Sequence, residues 1–356
     1  MDNIIKLILF PGLTSALISF AVTPLIIRLA YKIGLVDDPS KHKDPKVIHT
    51  YPVPRGGGLA IFIAIFISTL FFLPLDKHLI GISLGALILT LMGTLDDKFN
   101  LNPYARLSVQ FMAAAVPIAF GIGIAFINNP VGSGIIDLSH PQINFELIGH
   151  HSIWLLSDIF ALFWIVTLMN FINMGAKGVD GQLPGVTVIA AFTIALLSLR
   201  FSADITQWPV IILAVIIAGA FLGFLPYNFY PQKIMPGFAG SNLAGYFLGI
   251  LSILSTTKVG TLLVVLGVPL VDTGYTIVRR ILSGKSPVWG DRGHLHHKLL
   301  DYGLTKRQVS YFYWATTAAL GILALNLNSS FKLYTIVGLV ILIGGMLLWL
   351  TYRLRQ

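Results

Sequence analysis

Residues 208–225 have the sequence WPVIILAVIIAGAFLGFL, an apolar run that contains no charged side chain. About 20 residues of this kind form a helix that crosses the hydrocarbon core of a bilayer. Ten further stretches have the same character, and the eleven candidate spans are residues 4–30, 57–75, 79–95, 107–127, 153–171, 185–200, 208–225, 242–257, 259–280, 309–326 and 332–352. The pattern predicts an all-α fold, a polytopic membrane helical bundle of about 10–11 transmembrane helices, in one domain over residues 1–356.

The composition excludes a soluble or disordered chain. Charged residues make up 11% of the 356 residues and hydrophobic residues 55%, whereas a soluble domain carries about 25% charged residues. So few polar side chains cannot cover a globular surface. The absence of Cys from the sequence also excludes disulfides, thiolate metal sites and a cysteine nucleophile.

The basic residues predict the orientation of the bundle. Of the 24 Lys and Arg residues, 18 lie in the C-terminal tail and in every second connection between spans. These connections are 31–56, 96–106, 172–184, 226–241 and 281–308, and the last of them is counted together with Arg279 and Arg280 at its edge. Cytoplasmic loops are enriched in Lys and Arg. We therefore expect a multi-pass protein of the plasma (inner) membrane with its N-terminus outside and its C-terminus cytoplasmic. The net charge of +9 then reflects these loops, and no nucleic-acid partner is expected.

Two adjacent carboxylates, Asp96 and Asp97, directly follow the apolar span 79–95. Neighbouring acids repel one another unless they share a cation or a proton. A Mg²⁺ site or a general base would use such a pair. The alternative is a solvated helix end whose acids point to water.

A second polar cluster closes the span 153–171. Asn170 and Asn173 are three residues apart and lie on one helical face, and Lys177, Asp180 and Gly181 follow in a glycine-containing segment. Glycine permits close approach of the backbone to a ligand, so the pattern indicates a phosphate or nucleotide loop at a helix break. The alternative is a turn whose Asn residues cap helix ends.

A third cluster, rich in cations and histidines, follows the span 259–280. It contains Arg279 and Arg280 and, further on, His294, His296 and His297. Such side chains suit a negatively charged phosphate donor. The alternative is a solvated basic loop beside anionic lipid.

A fourth segment, residues 46–58, contains prolines, Arg55 and the triplet Gly56-Gly57-Gly58. The glycines could begin a helix whose N-terminal amides face an anion. The alternative is an ordinary connection with a basic bias.

Together the four segments resemble the polyprenyl-phosphate N-acetylhexosamine-1-phosphate transferases, from Asp38-Pro39 to His297-Lys298 and in the family's order. Residues 294–301 and 52–55 are more similar to the branch that initiates O-antigen and teichoic-acid synthesis than to the peptidoglycan branch. The resemblance implies an enzyme that transfers a sugar 1-phosphate from a UDP-sugar to polyprenyl phosphate and releases UMP, with Mg²⁺ (or Mn²⁺) as cofactor. It leaves a homodimer open.

The resemblance also implies roles for individual residues. Asp96 and Asp97 would be the catalytic carboxylates, and Asn173 with Asp97 would lie at the metal. The implied substrate-binding residues are Asn170, Lys177, Asp180, Gly181, Arg55, Arg279, Arg280, His294, His296 and His297.

Two positions depart from the family pattern. Phe238 stands where a metal-ligand Asp is expected, and Ala176-Lys177, with one extra residue, replace an earlier Asp. The alternative function is therefore a catalytically inactive relative that binds polyprenyl phosphate or nucleotide sugar. A transporter is less favoured, because no internal repeat is seen and the polar residues gather on one face.

Overall fold

The computed structural model describes residues 5–41, 47–132, 134–146, 150–255, 258–287 and 291–354. Within these ranges the chain is mainly helical, with short π and 3-10 turns at Ile5–Leu9 and Ile205–Gln207. The helices are α1 Phe10–Ile33, α2 Gly57–Phe72, α3 Lys77–Phe99, α4 Pro103–Ala119, α5 Leu155–Gly175, α6 Gln182–Leu199, α7 Trp208–Asn228, α8 Gly237–Leu254, α9 Lys258–Val265, α10 Gly267–Leu282, α11 Leu295–Asp301, α12 Lys306–Asn326 and α13 Ser329–Arg353.

Three short antiparallel strand pairs connect the helices. Their strands are β1 Val36–Asp37 with β2 Val53–Pro54, β3 Phe126–Asn128 with β4 Ile135–Asp137, and β5 Gln142–Glu146 with β6 His150–Trp154. The pair β1–β2 packs beside the segment that precedes α8, because the Met235 N–H donates to the Pro54 carbonyl oxygen. The other two pairs lie in the connection between α4 and α5.

Each of the eleven predicted spans overlaps one or two helices, which confirms the all-α membrane bundle. The span 107–127 was predicted too long, because α4 ends at Ala119 and residues 126–128 form β3. Seven helices in the described ranges are long and apolar enough to cross a membrane, and the pair α9 and α10, bent by 83°, could form an eighth span. The remaining predicted spans, 57–75, 107–127 and 309–326, correspond to α2, α4 and α12. The orientation of the termini stays a prediction.

Helix α8 lies at the centre of the bundle, and 94% of its residues are buried. Its small residues allow close packing, as is common between membrane helices. A Cβ added at Gly245 would lie 2.4 Å from Cα of Met169 in α5, and one at Gly93 of α3 would lie 2.4 Å from Cα of Ala239. The first turn of α8 is thereby fixed beside the ends of α3 and α5.

The predicted span 259–280 is broken between α9 and α10. Pro269 lies in the first turn of α10 and cannot donate the backbone hydrogen bond that would continue one helix into the other. The start of α10 packs on the end of α5, because a Cβ added at Gly175 would lie 2.3 Å from the Pro269 carbonyl oxygen. This contact brings α10 beside the segment 176–181.

Candidate active site

A cavity of about 360 Å³ lies where four connections meet at one end of the bundle. It is walled by the end of α3, the segment after α5, the start of α8 and the connection 31–56. Its polar and charged lining residues are Asp37, His49, Arg55, Asp96, Asp97, Asn100, Arg106, Asn173, Lys177, Asp180, Asn228 and Gln232. The structure thus brings together six of the sequence-predicted site residues: Arg55, Asp96, Asp97, Asn173, Lys177 and Asp180.

The Asp97 carboxylate is bound to the first turn of α8. Its two oxygens accept from the backbone N–H of Phe238 at 2.9 and 3.0 Å. The positive end of the helix dipole favours a carboxylate at this position. Gly237 has φ +68°, and a Cβ there would lie only 2.0 Å from Asp97 Oδ2. The close approach therefore requires glycine at position 237.

The neighbouring Asp96 has a different environment. It is 6% exposed, accepts from the Leu101 N–H at 3.0 Å and lies 3.3 Å from Nη1 of Arg106. These contacts fix the turn between α3 and α4. Asp96 thus holds Arg106 in the wall of the cavity, whereas Asp97 is anchored to α8.

Lys177 and Arg106 surround the ring of Phe238. The Lys177 ammonium lies 5.9 Å from the ring centroid, and the Arg106 guanidinium carbon lies 5.1 Å from it. A cation within about 6 Å of an aromatic face is attracted by the ring quadrupole. Lys177 Nζ also donates to the carbonyl oxygen of Gly237 at 3.3 Å. Phe238 therefore organises two cations at the start of α8.

The pKa of Lys177 is lowered to about 8, because withdrawal from water disfavours the ammonium. The charges that face Lys177 act in both directions. Asp97 and Asp96 raise the pKa, whereas Arg55 and Arg106 lower it. With a pKa of about 8 the side chain is still cationic at neutral pH.

Asp180 lies in the wall of the cavity, whereas the predicted Gly181 next to it does not line the cavity. Both residues are bonded to several elements. Asp180 is 1% exposed, and its Oδ1 is 3.8 Å from Nζ of Lys306. Burial raises the pKa of Asp180, and the Lys306 charge opposes that shift. The Gly181 N–H donates to Oδ1 of Asn228 at 3.0 Å, and the Gly181 carbonyl accepts from the indole of Trp314 at 3.1 Å. This backbone is held rigid by side chains of α7 and α12.

The predicted Asn170 does not line the cavity. Its amide donates at 2.9 Å both to Oε1 of Gln110 and to the Val166 carbonyl. Gln110 is in turn bonded to Asn242 of α8, whose amide donates to the Phe238 carbonyl at 2.7 Å. The structure therefore places Asn170 in a buried network one helical turn below the cavity.

The histidines lie behind the segment 176–181 and outside the cavity lining. The rings of His294 and His296 stack at 5.5 Å, and a Cβ added at Gly178 would lie 2.1 Å from the His296 ring. Asp272 of α10 positions this group, since it accepts from the Leu295 N–H at 2.7 Å and lies 3.1 Å from His294 Nδ1.

His296 and His297 are predominantly neutral at physiological pH. Burial is the main cause that lowers the pKa of His297 to about 4 and that of His296 well below its usual value. The Nδ1 atoms of both rings are buried and have no hydrogen-bond partner among the described residues. The prediction that they bind substrate stays untested.

Arg279 and Arg280 bind a carboxylate of the chain itself. They lie 2.6 and 3.2 Å from Asp291, and Arg280 also donates to the Pro287 carbonyl at 2.9 Å. Although burial acts to raise the pKa of Asp291, the bonds from Arg280 and Gly293 and the Arg charges hold it at about 2. In this structure the two arginines hold Asp291, and Arg280 also holds Pro287, beside the end of α10.

Sequence reasoning missed six polar residues of the cavity: Asp37, His49, Asn100, Arg106, Asn228 and Gln232. All six lie in the predicted basic connections, and that location was the only signal in the sequence that could have identified them. Asp37 accepts from Nε of Arg55 at 3.1 Å, a pairing that the 18-residue separation does not reveal.

The donor atoms predicted for Mg²⁺ do not fit such an ion. Mg²⁺ prefers near-octahedral oxygen ligands. Asn173 Oδ1 accepts from Ser241 Oγ at 2.7 Å, Asp97 is bonded to the Phe238 amide, and the Phe238 ring offers no lone pair. In the part of the chain that the structure describes, no group of three His, Asp or Glu side chains could hold a metal ion.

Comparison with known proteins supports the resemblance found in the sequence. The family model described as glycosyl transferase family 4 matches residues 79–256. A probable undecaprenyl-phosphate N-acetylglucosaminyl 1-phosphate transferase of Bacillus subtilis is 34% identical over 83% of this chain and 78% of its own length. The decaprenyl-phosphate N-acetylglucosaminephosphotransferase of Mycolicibacterium smegmatis is 30% identical over 87% of this chain and 80% of its own length.

A third relative, the phospho-N-acetylmuramoyl-pentapeptide-transferase of Caldanaerobacter subterraneus, is 29% identical over 74% of this chain and 80% of its own length. The chain therefore belongs to glycosyl transferase family 4. The prediction of a membrane-bound transferase enzyme is confirmed. The branch within the family stays a prediction, and the inactive-relative alternative gains no support.

Proposed function

We propose that the protein transfers N-acetylglucosamine 1-phosphate from its UDP derivative to a polyprenyl phosphate, releases UMP and so starts a cell-envelope glycan. The observation that carries the proposal is the single cavity of about 360 Å³ in which carboxylates and cations from four distant connections meet. It lies at the end of apolar helices, where a lipid phosphate and a water-soluble donor can both reach it. The printed names of the relatives from Bacillus subtilis and Mycolicibacterium smegmatis support this choice of substrates.

The reaction needs positioning and neutralisation of charge. An oxygen of the lipid phosphate attacks the phosphorus that carries the sugar, and the bond from that phosphorus to the bridging oxygen breaks. The electron pair leaves on UMP, so negative charge increases on the bridging oxygen. Arg55, Arg106 and Lys177 line the cavity and supply positive charge for the diphosphate.

Arg55 and Arg106 are accessible to a ligand and are also held in place by the chain. Their side chains are 29% and 25% exposed for Arg55 and Arg106, and each is paired with a nearly buried carboxylate, Asp37 or Asp96. We assign Asp97, the other carboxylate at the end of α3, to the lipid phosphate. It would accept the proton of a monoanionic lipid phosphate, so that the more nucleophilic dianion attacks.

The test is UMP release by the purified protein with polyprenyl phosphate and a panel of UDP-N-acetylhexosamines. Release should require polyprenyl phosphate and one donor. Asp97→Asn should reduce turnover about 100-fold or more. Asp204→Asn is the matched control, since Asp204 is exposed and lies beyond the far end of α6. Binding of polyprenyl phosphate without release from any donor would instead favour the inactive relative.

We also propose that the cavity faces the cytoplasm at the plasma membrane. The basic connections 31–56, 96–106, 172–184 and 226–241 all contribute to its walls, and cytoplasmic loops carry the excess of Lys and Arg. Because the chain has no Cys, single cysteines give a clean test. A membrane-impermeant maleimide added to intact cells should label Asp204→Cys and leave Lys233→Cys unlabelled, and the reverse pattern would invert the topology.

A further inference from the structure

We propose that the ammonium of Lys177, together with the Arg106 guanidinium, occupies the role for which the sequence predicts Mg²⁺, so that the donor diphosphate is bound and cleaved without a divalent metal ion. This inference rests on the proposed function and concerns the same site. Three observations support it: Lys177 lies beside Asp97, each carboxylate of the cavity has a basic side chain beside it, and residue 238 is a Phe.

Lys177 is placed where a metal ion would have to act. It lines the cavity, donates to the Gly237 carbonyl and interacts electrostatically with Asp97. Gly237 and Asp97 are themselves in contact, because Asp97 is bonded to the amide of the next residue, Phe238. A positive charge is thus fixed beside the carboxylate that was predicted to hold the metal.

Each carboxylate of the cavity already has a basic side chain beside it. The pairs are Asp37 with Arg55, Asp96 with Arg106, Asp97 with Lys177 and Asp180 with Lys306. A divalent ion would have to displace one of these cations and would be repelled by those that remain. A diphosphate, in contrast, is attracted by the same cations, which can form charge-assisted hydrogen bonds with its oxygens.

Phe238 cannot act as a metal ligand, but it can hold organic cations. Its ring, 6% exposed, lies within 6 Å of both Lys177 and Arg106, and its face attracts a positive charge without neutralising it. An Asp at position 238 would instead form an ion pair with Lys177. The apolar residue therefore adds no further negative charge beside the two cations.

The chemistry remains balanced without a metal ion. The lipid phosphate oxygen forms the new bond to the sugar-bearing phosphorus, and the electron pair of the broken bond leaves on UMP. Lys177 and Arg106 neutralise the charge that develops on the leaving oxygen, which requires no redox step and no further reactant.

The test uses the full-length protein in detergent after exhaustive treatment with EDTA. UMP release with UDP-N-acetylglucosamine and polyprenyl phosphate is measured in EDTA and in Mg²⁺. Binding of radiolabelled UDP-N-acetylglucosamine is measured in parallel under both conditions, and bound Mn²⁺ is sought by EPR. The variants are Lys177→Met, which removes the charge, and Lys177→Arg, which keeps it. Lys233→Met is the control, since Lys233 is exposed and does not line the cavity.

We expect UMP release in EDTA at a rate within about twofold of that in Mg²⁺. Lys177→Met should lower this rate about 100-fold or more, Lys177→Arg should retain a measurable part of it, and Lys233→Met should match the wild type. Release that EDTA abolishes and Mg²⁺ restores, or a Mn²⁺ signal that Asp97→Asn removes, would overturn the inference and leave the proposed function standing.

The two proposals can also fail separately. If no UMP is released under either condition, the proposed function fails. Binding of UDP-N-acetylglucosamine then tests whether Lys177 takes the place of the metal ion. Binding in EDTA that Lys177→Met weakens and Lys177→Arg preserves would support the cation assignment. Binding that requires Mg²⁺ would refute it. Size-exclusion profiles of all variants show whether a loss of binding is a loss of folding.

Discussion

The contact between Asp97 and the first turn of α8 gives a sharp test of the site geometry through Gly237→Ala. Gly237 has φ +68°, and the added Cβ would lie 2.0 Å from Asp97 Oδ2. A non-glycine residue in the left-handed region costs about 1–2 kcal/mol. Displacing the carboxylate loses a hydrogen bond to a charged group, which contributes about 1.5–3 kcal/mol. The free energy of unfolding should therefore fall by about 2.5–5 kcal/mol.

Gly284→Ala is the matched control for this substitution. Gly284 has φ +67°, but an added Cβ there would meet nothing within 4 Å. Gly284→Ala should lower the free energy of unfolding only by the cost of the left-handed backbone conformation, about 1–2 kcal/mol. Unfolding of each variant by SDS titration in mixed micelles gives the free energies, and UMP release should fall only for Gly237→Ala. Equal destabilisation and equal activity of the two variants would refute the assignment of Asp97 to the start of α8.

Three further predictions follow from the same geometry. In a pH–rate profile, UMP release should fall as the pH rises through about 8, where Lys177 loses its proton, and Lys177→Arg should move this fall to higher pH. Gly178→Ala should lower the melting temperature and turnover, because the Cβ would lie 2.1 Å from the His296 ring, whereas Gly274→Ala, with nothing within 4 Å, should do neither. Phe238→Leu removes the aromatic face and should weaken donor binding several-fold, measured by equilibrium binding.

The helical spans could be predicted from the sequence because lipid enforces helices. Backbone polar groups within a bilayer must be satisfied inside each segment, so a continuous apolar run such as 208–225 has few structural options. The 83° bend between α9 and α10 could not be predicted in this way. The charged residues of the stretch 259–280 are Asp272 and the two arginines at its end, and the bend depends on how Pro269 packs on the end of α5.

The location of the site was also predictable, whereas the partners of its residues were not. Charge clustering identified the connections that form the cavity. The same clustering cannot distinguish cations that are available to a ligand from cations that form ion pairs within the chain. Arg279 and Arg280 are of the second kind, because they form ion pairs with Asp291. Helical spacing placed Asn170 and Asn173 on one face, as it should, but gave no measure of depth along the helix. One turn separates Asn173 at the cavity from Asn170 in the buried network with Gln110.

The two departures from the family pattern acquire a joint meaning only in three dimensions. In the sequence, Lys177 and Phe238 are 61 positions apart and resemble two independent losses of an acid, which is why an inactive relative was the alternative function. In the structure the ammonium of one faces the ring of the other, and both border Asp97. If Lys177 were present together with a metal ion, the two positive charges would repel one another. If an acid stood at position 177 beside Phe238, it would have no cation to pair with. Their occurrence together keeps Asp97 neutralised and keeps positive charge in the cavity, which is what a site for a diphosphate requires.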